Sequence, residues 1–577
     1  MYVVATAGHV DHGKSTLVRA LTGQEPDRLE EERRRGLSIQ LGYCWTRLPG
    51  LGEVAFVDVP GHERFISTTL AGVGPVPAVM LVVAADDPWM PQAAEHLAAL
   101  DGLGVEHALL VVTRSDLADP LPALARARAE LARTSLHAAR AVVVSGRTGE
   151  GLDTLRTELA ALLRAVPPAD PEADVRLWVD RRFHVRGTGT VVTGTLPAGT
   201  IRCGDTLLSD DRRVRVRGIE CLGRPVTSAV GVSRVALALA GKAPDELERG
   251  SVLVTQGAFE ACAVVDVRLI GEARLPERPV LHVGAAALTV HARPLSQDFA
   301  RLALERALPL RIGDRALLRD PGSRRLWGVQ VLDPAPPRLR RRGAAASRAD
   351  ELERADGALG TELERRGLVH RALLLRLGTT GAVPPDAVQV GPWLVSGAHA
   401  RALSAELARF VQEAGTPQRP GVPVAQVARV LGLPDEALVA ALVTPPLRVD
   451  RGLVEPAEAG LPPHLRRALD AIRDDLLARP YAAPDADRLD ELGLTRADLG
   501  ALAHAGHLLR LADGILLLPH ADDHAAHLLA GLPQPFTVSQ ARSLLGSSRR
   551  VVLPLLAHLD RTGRTVRLPD DRRRVRG

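Results

Sequence analysis

The stretch GHVDHGKS, from Gly8 to Ser15, decides the fold of the first part of this chain. It consists of a glycine, four residues and then Gly-Lys-Ser; an apolar run at Tyr2–Val4 precedes it, and a helical pattern begins at Thr16. This order of strand, glycine-rich loop and helix is typical of a phosphate-binding loop, because backbone N–H groups and the helix N-terminus surround an anion. In such a loop Lys14 contacts the β- and γ-phosphates and Ser15 binds Mg²⁺. The residues that we expect to line the loop are Gly8, His9, Val10, Asp11, His12, Gly13, Lys14, Ser15 and Thr16.

A second motif, Asp58-Val59-Pro60-Gly61, follows the apolar run that starts at Val54. We expect Asp58 to hold Mg²⁺ through water and the Gly61 N–H to meet the γ-phosphate. His62 comes next; a histidine beside a γ-phosphate can orient the attacking water, so His62 is the predicted catalytic residue. Ser38 lies in the polar segment between the two motifs. It either completes the Mg²⁺ shell with Ser15 and Asp58 or belongs to a surface turn.

Two further segments point to a guanine base. Asp116 ends the motif Thr113-Arg114-Ser115-Asp116 at the close of a buried strand pattern, where a carboxylate can accept both N–H groups of guanine. Alternatively, Asp116 caps a helix. The segment Ser145-Gly146-Arg147 follows the next strand pattern and could give a backbone N–H to the guanine oxygen. The predicted cofactors are therefore GTP or GDP with Mg²⁺, and the predicted base contacts are Thr113, Arg114, Asp116, Ser145, Gly146 and Arg147.

The hydrophobic pattern of the sequence changes twice along its 577 residues. Apolar runs alternate with helical patterns at first, then short Val-, Thr- and Gly-rich segments recur, and helical patterns return near the end, which predicts a multidomain fold. We expect an α/β P-loop GTPase domain at 1–168, β-barrels at 174–258 and 259–337, and a C-terminal array of winged-helix domains at 344–397, 398–458, 461–520 and 521–577.

The winged-helix array is predicted from an internal repeat. Segments beginning at Val424, Ala486 and Val538 each contain a helix pattern that ends in Leu-Gly, then a turn and a second amphipathic helix. A few alternating residues follow, as expected for a small β-hairpin wing. A weaker fourth copy lies near Arg371–Gly378 and closes at Trp393–Val395.

Positive charge is concentrated at the C-terminal end. The whole chain carries a net charge of +5, whereas Gln540–Gly577 alone holds ten arginines and three aspartates. Such a segment favours an anionic polymer as its partner, although the arginines could also form a solvated face. Leu544, Leu545, Val552, Leu555, Leu556 and Leu559 have helical spacing and are predicted to be core. The predicted RNA contacts are Ser547, Ser548, Arg549, Arg550, Arg564, Arg567, Arg572 and Arg573.

Other features narrow the class of protein. The four cysteines show no metal-ligand spacing, and no run of 18 apolar residues occurs. These observations favour a reducing compartment and argue against a membrane span. Because the first strand pattern begins at Tyr2, no secretory leader is expected, and we predict a cytoplasmic, monomeric protein.

The motifs GHVDHGKST, DVPGHERF and FHVRGTGTVVTGT resemble those of the translation-factor GTPases related to elongation factor Tu. The variant RRRGLSIQLGYCW and the C-terminal repeats most resemble the selenocysteine-specific branch of that family. The resemblance implies a GTPase that carries selenocysteinyl-tRNA to a ribosome at an in-frame UGA codon and releases it on GTP hydrolysis. It also implies that the last winged helix binds an mRNA hairpin, and that Val10 and Leu37 form an apolar gate around His62.

The resemblance also assigns an amino-acid pocket to Asp180, Arg181 and Arg234. A selenol is more acidic than a thiol, whose pKa is about 8.5, so selenocysteine is an anion at pH 7. A guanidinium would prefer that anion over the neutral serine hydroxyl. The alternative is that these three residues form ordinary surface ion pairs.

This chain departs from the family pattern at several positions. Thr113-Arg114 stands where the guanine motif usually begins with Asn-Lys, Ser38 replaces a threonine, and Gln40 replaces an aspartate. Two other functions stay open: a DNA-binding regulator whose winged helices read duplex DNA, and a general elongation or initiation factor with a ribosome-binding tail.

Overall fold

The structure is a computed structural model that describes residues 1–26, 38–87, 89–240, 246–271, 274–415, 421–457, 461 and 463–576. It divides into two compact units, Met1–Ser396 and Gly397–Gly577. Leu37, a predicted gate residue, lies outside the described residues. No helix in the described ranges is long and apolar enough to cross a membrane.

The first domain is a six-stranded sheet in the order β2-β3-β1-β4-β5-β6, in which only β2 is antiparallel to its neighbour. Helices cover both faces, because the parallel strands are apolar on both sides and must be buried on both. The bounds are β1 Tyr2–Ala7, α1 Lys14–Thr22, β2 Gly42–Leu48, β3 Gly52–Asp58, α2 Ile66–Val73, β4 Ala78–Ala84, α3 Pro91–Gly102, β5 His107–Thr113, α4 Pro120–Leu131, β6 Arg140–Val143 and α5 Leu152–Ala165.

Two β domains follow. In the first, the strands surround one core in the order β7-β16-β11-β12-β15-β9-β8. The Asp180 N–H, just after β7, donates to the carbonyl of Thr193 on β9 and so brings these two strands together. Its strands are β7 Arg176–Trp178, β8 Arg181–Val185, β9 Gly189–Leu196, β10 Thr200–Arg202, β11 Thr206–Ser209, β12 Arg212–Cys221, β13 Arg224–Val226, β14 Ser228–Val230, β15 Ser233–Ala240 and β16 Val252–Thr255. The second is a closed barrel, formed by β17 Cys262–Ile270, β18 Val280–Val283, β19 Ala286–Pro294, β20 Phe299–Leu308, β21 Arg315–Arg319 and β22 Leu326–Asp333.

A first winged-helix module completes the unit Met1–Ser396. Its three strands pair in the order β23-β25-β24, so that the third strand lies in the middle. The bounds are α6 Ala344–Leu352, α7 Leu359–Arg366, β23 Leu368–His370, α8 Arg371–Arg376, β24 Val388–Val390 and β25 Trp393–Val395.

Three more winged-helix modules make up the second unit. The first of them comprises α9 Gly397–Ala414, β26 Val422–Pro423, α10 Val424–Val430, α11 Ala437–Leu442, β27 Leu447–Asp450 and β28 Leu453–Pro456. The next comprises α12 Pro463–Ala478, α13 Ala486–Glu491, α14 Arg496–His504, β29 Leu509–Ala512 and β30 Ile515–Leu517. The last comprises α15 Ala521–Ala530, α16 Val538–Leu544, α17 Arg549–Arg561, β31 Thr565–Arg567 and β32 Arg573–Val575.

The predicted fold class is therefore confirmed, with one correction to the predicted core. A single hydrophobic core runs through the last two modules, from Leu465 to Leu559. Five of the six predicted core residues of the last module are buried, but Leu544 is 44% exposed. Leu544 is the last residue of the short helix α16, whose buried face is formed by Ala541. The domain boundaries given above remain predictions.

Candidate functional site

The phosphate-binding loop joins the end of β1 to the start of α1. Gly8 has a φ of 133°, and a Cβ atom there would lie 2.2 Å from the Val82 carbonyl oxygen, so only glycine fits. Gly13, just before α1, has a φ of 79°, in the left-handed region that favours glycine. The two glycines therefore let the loop turn tightly into the helix.

Lys14 reaches back across this loop. Its Nζ donates to the carbonyl oxygens of His9 at 2.7 Å and Gly8 at 3.1 Å, and the residue is only 6% exposed. A Cβ atom on Gly61 would lie 2.5 Å from this Nζ and 2.4 Å from the Val10 amide nitrogen. The Asp58–Gly61 motif is thus packed directly against the loop, as the predicted nucleotide site requires.

The three predicted metal ligands meet at one point. Ser15 Oγ donates to Asp58 Oδ2 at 2.6 Å and lies 3.1 Å from Ser38 Oγ. Thr6 Oγ1 donates to the other carboxylate oxygen of Asp58 at 2.7 Å, which fixes the orientation of that side chain. Hydroxyl and carboxylate oxygens are the ligand types that Mg²⁺ prefers, so this oxygen cluster fits the ion.

His62 is half-buried beside the loop. Its Nδ1 accepts a hydrogen bond from the Arg64 N–H at 3.2 Å, and its ring centroid lies 6.0 Å from that of Phe65. Because Gly61 touches Val10, the imidazole follows immediately after the backbone that faces the loop. This location suits a residue that orients water at the γ-phosphate.

Two of the predicted base-contact residues, Asp116 and Ser145, meet just beyond the ends of β5 and β6. Ser145 Oγ donates to Asp116 Oδ1 at 2.6 Å, and Thr113 Oγ1 donates to the His12 carbonyl at 2.7 Å. The alternative that Asp116 caps a helix does not apply to α4, whose N-cap is Asp119.

Arg114 stands where the family usually has lysine, and it is anchored beside the loop. Its Nη1 donates to both carboxylate oxygens of Asp86, each at 3.1 Å, and its Nη2 donates to the Asp11 carbonyl. Its backbone has a φ of 60°. The change from the family pattern is therefore accommodated by an ion pair to Asp86.

His96, which belongs to none of the motifs described above, supports the loop from α3. The Gly8 N–H donates to His96 Nδ1 at 2.9 Å, and burial lowers the pKa of His96 to about 3, so the imidazole is a neutral acceptor. His12 lies nearby, with Nε2 3.2 Å from Asp87 Oδ2. In the sequence, this supporting role is indicated by a histidine that directly precedes Leu97 on the buried face of α3.

The three predicted pocket residues also meet. Asp180 and Arg234 form a buried ion pair, with side chains 4% and 9% exposed, and a second N–H of Arg234 donates to Asp180 Oδ1 at 2.7 Å. Arg181 donates to the Leu41 carbonyl of the first domain. These are not the exposed ion pairs of the alternative interpretation.

Tyr43, on β2 of the first domain, completes this cluster and was missed by the sequence analysis. The guanidinium carbon of Arg234 lies 3.8 Å from the centre of its ring, and that of Arg181 lies 5.2 Å from it. Burial raises the pKa of Tyr43, so the phenol is neutral. An aromatic face that holds two cations fixes both guanidiniums at the edge of the barrel.

The predicted RNA contacts in the last module divide into two groups. Ser548, Arg549, Arg567 and Arg572 are exposed, and the two wing arginines pair locally with Asp571 and Asp570. Arg564 is half-buried and pairs with Asp522 and Asp523 of α15.

The other three predicted RNA contacts also form hydrogen bonds with groups of the protein. Ser547 Oγ donates to the Tyr481 carbonyl, and Arg550 donates to the carbonyls of Ala483 and Pro484, both at 2.8 Å. Arg573 is 6% exposed, and its Nε donates to Asp560 Oδ2 at 2.9 Å. Asp560 therefore holds the Arg573 guanidinium in the interior of the module, and the role of Arg573 as an RNA contact stays a prediction.

The chain matches three family models. "Elongation factor Tu GTP binding domain" matches residues 1–165, "Selenocysteine-specific elongation factor, beta-barrel domain" matches 263–338, and "Elongation factor SelB, winged helix" matches 527–574.

Individual relatives agree with these matches. The selenocysteine-specific elongation factor of Escherichia coli is 37% identical over 377 residues, which cover 63% of this chain and 61% of the relative. The translation initiation factor 2 subunit gamma of Natronomonas pharaonis is 32% identical over 43% of this chain and 69% of its own length. A crystal structure of a bacterial selenocysteine-specific elongation factor superposes with a TM-score of 0.73 over 100% of both chains at 24% identity, which shows a shared fold.

Proposed function

Because the chain belongs to the translation-factor GTPases related to elongation factor Tu, in their selenocysteine-specific branch, we propose that it delivers selenocysteinyl-tRNA to UGA codons. The matched segment spans about three fifths of the Escherichia coli relative. In this proposal the factor works as a cytoplasmic monomer that also binds an mRNA hairpin. GTP hydrolysis, stimulated by the ribosome, releases the tRNA.

The observation that carries this proposal is the pair of guanidiniums over Tyr43 at the edge of the first barrel. Arg181 and Arg234 are held there by the aromatic ring, and Asp180 fixes Arg234 from the other side. A selenolate brings the negative charge that these groups favour, whereas serine brings a neutral hydroxyl. The pocket therefore selects the amino acid by its charge.

The nucleotide site works through groups that are already oriented. Ser15, Ser38 and Asp58 would hold Mg²⁺, which neutralises phosphate charge when bound. Lys14 binds the β- and γ-phosphates while its carbonyl contacts keep it across the loop. His62 then orients the attacking water.

Base recognition is assigned to Asp116. Its carboxylate accepts the two N–H groups of guanine, while the hydroxyl of Ser145 donates to one of its oxygens and holds it in place. Adenine offers no such pair of donors at this edge, so Asp116 makes the site specific for guanine nucleotides.

The exposed residues of the last module are assigned to the mRNA hairpin. Ser548 and Arg549 begin α17, and Arg567 and Arg572 lie on the wing. Guanidiniums, hydroxyls and a helix N-terminus contact phosphate oxygens. Phe536, the aromatic residue of this segment, is fully buried, so base stacking on aromatic rings has no part in the recognition.

The pocket is tested by changing Arg234 to Ala and measuring the affinity of the GTP-bound factor for one tRNA carrying selenocysteine or serine. We expect the preference for selenocysteine to fall by about tenfold or more, since a hydrogen bond to a charged group contributes about 1.5–3 kcal/mol. Arg182→Ala, at an exposed position of β8, is the matched control and should leave the ratio unchanged.

An unchanged ratio in the Arg234 variant would refute the charge-selection proposal. The same assay separates the other functions. A general elongation or initiation factor would bind several aminoacyl-tRNAs equally well, and a DNA-binding regulator would bind duplex DNA in place of the hairpin.

A further inference from the structure

The base site treats the two rings of guanine differently. The Asp116 carboxylate, held by the Ser145 hydroxyl at 2.6 Å, offers acceptors to the N–H groups of the six-membered ring. The five-membered ring carries N7, which is an acceptor, and N9, which bears the sugar and phosphates. Because the phosphates belong at the loop Gly8–Thr16, the five-membered ring lies on the side of Asp116 that faces this loop. Only a donor placed there can recognise N7.

Two residues at the end of β5 connect Asp116 to the loop. Thr113 lies under the loop, because a Cβ atom on Gly13 would be 3.7 Å from Thr113 Oγ1. The next residue, Arg114, donates from Nη2 to the Asp11 carbonyl. Thr113 and Arg114 are therefore the candidates for a contact with N7.

The Thr113 hydroxyl is already used by the protein. Its Oγ1 donates to the His12 carbonyl at 2.7 Å and lies 3.3 Å from the Val83 carbonyl oxygen. A hydroxyl has a single hydrogen to donate, and Thr113 is only 3% exposed. Turning that hydrogen towards a base would take this bond from a buried carbonyl, which is unfavourable. The hydroxyl therefore fixes the loop and has no hydrogen for N7.

The guanidinium of Arg114 is also held by the protein. Nη1 donates to both carboxylate oxygens of Asp86 at 3.1 Å, and Nη2 is bound to the Asp11 carbonyl. An arginine that recognises the N7 and O6 atoms of guanine presents two N–H groups to them side by side. Here both terminal nitrogens are bound to the segment after β4 and to the loop. Arg114 therefore joins these two segments and does not present that pair of donors to the base.

An asparagine at position 113, the residue type that is usual in the family, would have a different capacity. Its amide carries two hydrogens, so one could bind the loop carbonyl and the other could bind N7. Threonine keeps the first of these bonds and lacks a hydrogen for the second. The difference between the two residue types is thus one donor to the base.

We propose that this site recognises guanine by its Watson–Crick edge alone, and that Thr113 determines this specificity by leaving N7 without a donor. The ligands of the site are then guanine nucleotides whichever atom stands at ring position 7. This inference rests on the proposed nucleotide function, since Asp116 has to bind the base.

The affinity of the full chain for GTP and for 7-deaza-GTP tests the proposal. The second nucleotide has a C–H group in place of N7 and keeps the Watson–Crick edge. We expect the unmodified chain to bind the two within about twofold of each other. A larger loss with 7-deaza-GTP would overturn the proposal, because a single hydrogen bond to N7 changes affinity by about fivefold.

The variant Thr113→Asn should acquire recognition of N7. We expect it to bind GTP about fivefold more tightly than 7-deaza-GTP. Thr113→Ser keeps the hydroxyl and is the matched control, for which the two affinities should stay equal. Equal affinities in Thr113→Asn would overturn the assignment of this specificity to Thr113. The comparison in the unmodified chain does not depend on the folding of any variant.

Inosine triphosphate separates this proposal from the function on which it rests. It keeps N7 and lacks the 2-amino group, so it should bind at least about tenfold more weakly than GTP if Asp116 reads guanine. Equal binding of inosine triphosphate and GTP would contradict the role of Asp116 and overturn both proposals. Weak binding of both inosine triphosphate and 7-deaza-GTP would overturn only the inference about N7 and leave the guanine site in place.

Discussion

His62 is the residue that we propose to act in GTP hydrolysis. It is half-buried, follows the backbone that touches the phosphate loop, and has its Nδ1 held by the Arg64 N–H. Because Nδ1 is used in this way, the proposed contact with the attacking water is assigned to Nε2. A residue in this place contributes to the chemical step and little to nucleotide binding.

Changing His62 to Ala should therefore preserve GTP affinity and reduce ribosome-stimulated hydrolysis by about 10²- to 10⁴-fold, the range for a group that moves or orients a proton. Single-turnover hydrolysis with ribosomes measures the rate, and equilibrium binding of a fluorescent GTP analogue provides the control. Normal hydrolysis in this variant would remove His62 from the mechanism.

Residues with a local signal could be predicted from the sequence, whereas residues brought in from distant strands could not. Ser15, Ser38 and Asp58 each belong to a recognisable motif. The structure places Ser15 Oγ 3.1 Å from Ser38 Oγ and 2.6 Å from Asp58 Oδ2. Tyr43 and His96 carry no motif of their own. Each is defined by a partner far along the chain, Arg234 in one case and Gly8 in the other.

At the scale of elements, the Gly61 segment lies in close contact with the phosphate loop. A Cβ atom on Gly61 would lie 2.4 Å from the Val10 amide nitrogen and 2.5 Å from Lys14 Nζ. Both atoms belong to the predicted phosphate-binding segment Gly8–Thr16. No real Cβ atom tolerates this approach, so one of the two backbone segments would have to move.

We therefore expect Gly61→Ala to weaken GTP binding by about tenfold or more while GDP binding changes less, because we propose that the Gly61 N–H donates to the γ-phosphate. Gly218→Ala on β12 is a control, since its Cβ would make an ordinary contact at 3.7 Å. Unaltered GTP affinity in the Gly61 variant would contradict the assignment of that N–H.

The wing of the last module carries a second prediction at this scale. Arg567→Gln with Arg572→Gln should lower the slope of log affinity against log salt for the hairpin by about 1.4 to 1.8, at 0.7 to 0.9 per phosphate contact. Arg573→Gln is not equivalent, because Arg573 is paired with Asp560 in the interior, and we expect it to reduce stability. Binding titrations between low and high salt check the slope.

Elements differ in how far their sequence reveals them. The run Ala78–Ala84 is apolar throughout and forms β4, as expected for a parallel strand that is buried on both faces. In the first winged-helix module, residues 377–387 contain no helix, whereas each later module has a second helix before its wing, and the sequence pattern does not predict this difference. The repeat pattern is weak there, and the prolines at 384 and 385 mark only a break.

For the whole molecule, the buried charges between the closed barrel and the first module determine how stability responds to acid. Burial by itself would raise the pKa of Asp333, but the guanidiniums of Arg366, Arg365 and Arg348 outweigh it and lower the pKa to about 2. A carboxylate with a lowered pKa stabilises the fold above its unfolded pKa of about 3.9 and loses that contribution as the pH falls towards 2.

Unfolding of the full chain should therefore become easier between pH 4 and pH 2, with about 2 kcal/mol of this loss due to Asp333. In Asp333→Asn that part of the pH dependence should disappear, although the variant is less stable at neutral pH. Denaturant titrations at several pH values measure the difference. An identical pH dependence in both proteins would contradict the role given to Asp333.

The shared core of the last two modules shows a limit of reasoning from repeats. The repeat pattern divides 461–520 from 521–577, but one hydrophobic core passes through both. Deleting the last module would expose the core of its neighbour. Point changes on the wing are therefore the appropriate test of hairpin binding.

We propose that the pocket around Arg181 and Arg234 recognises a negative charge on the amino acid. This recognition is tested most directly by the affinity of the GTP-bound full chain for a single tRNA carrying either selenocysteine or serine. We expect the selenocysteinyl form to bind about 10- to 100-fold more tightly, as expected from a charge-assisted hydrogen bond. Equal affinity for the two forms would contradict it.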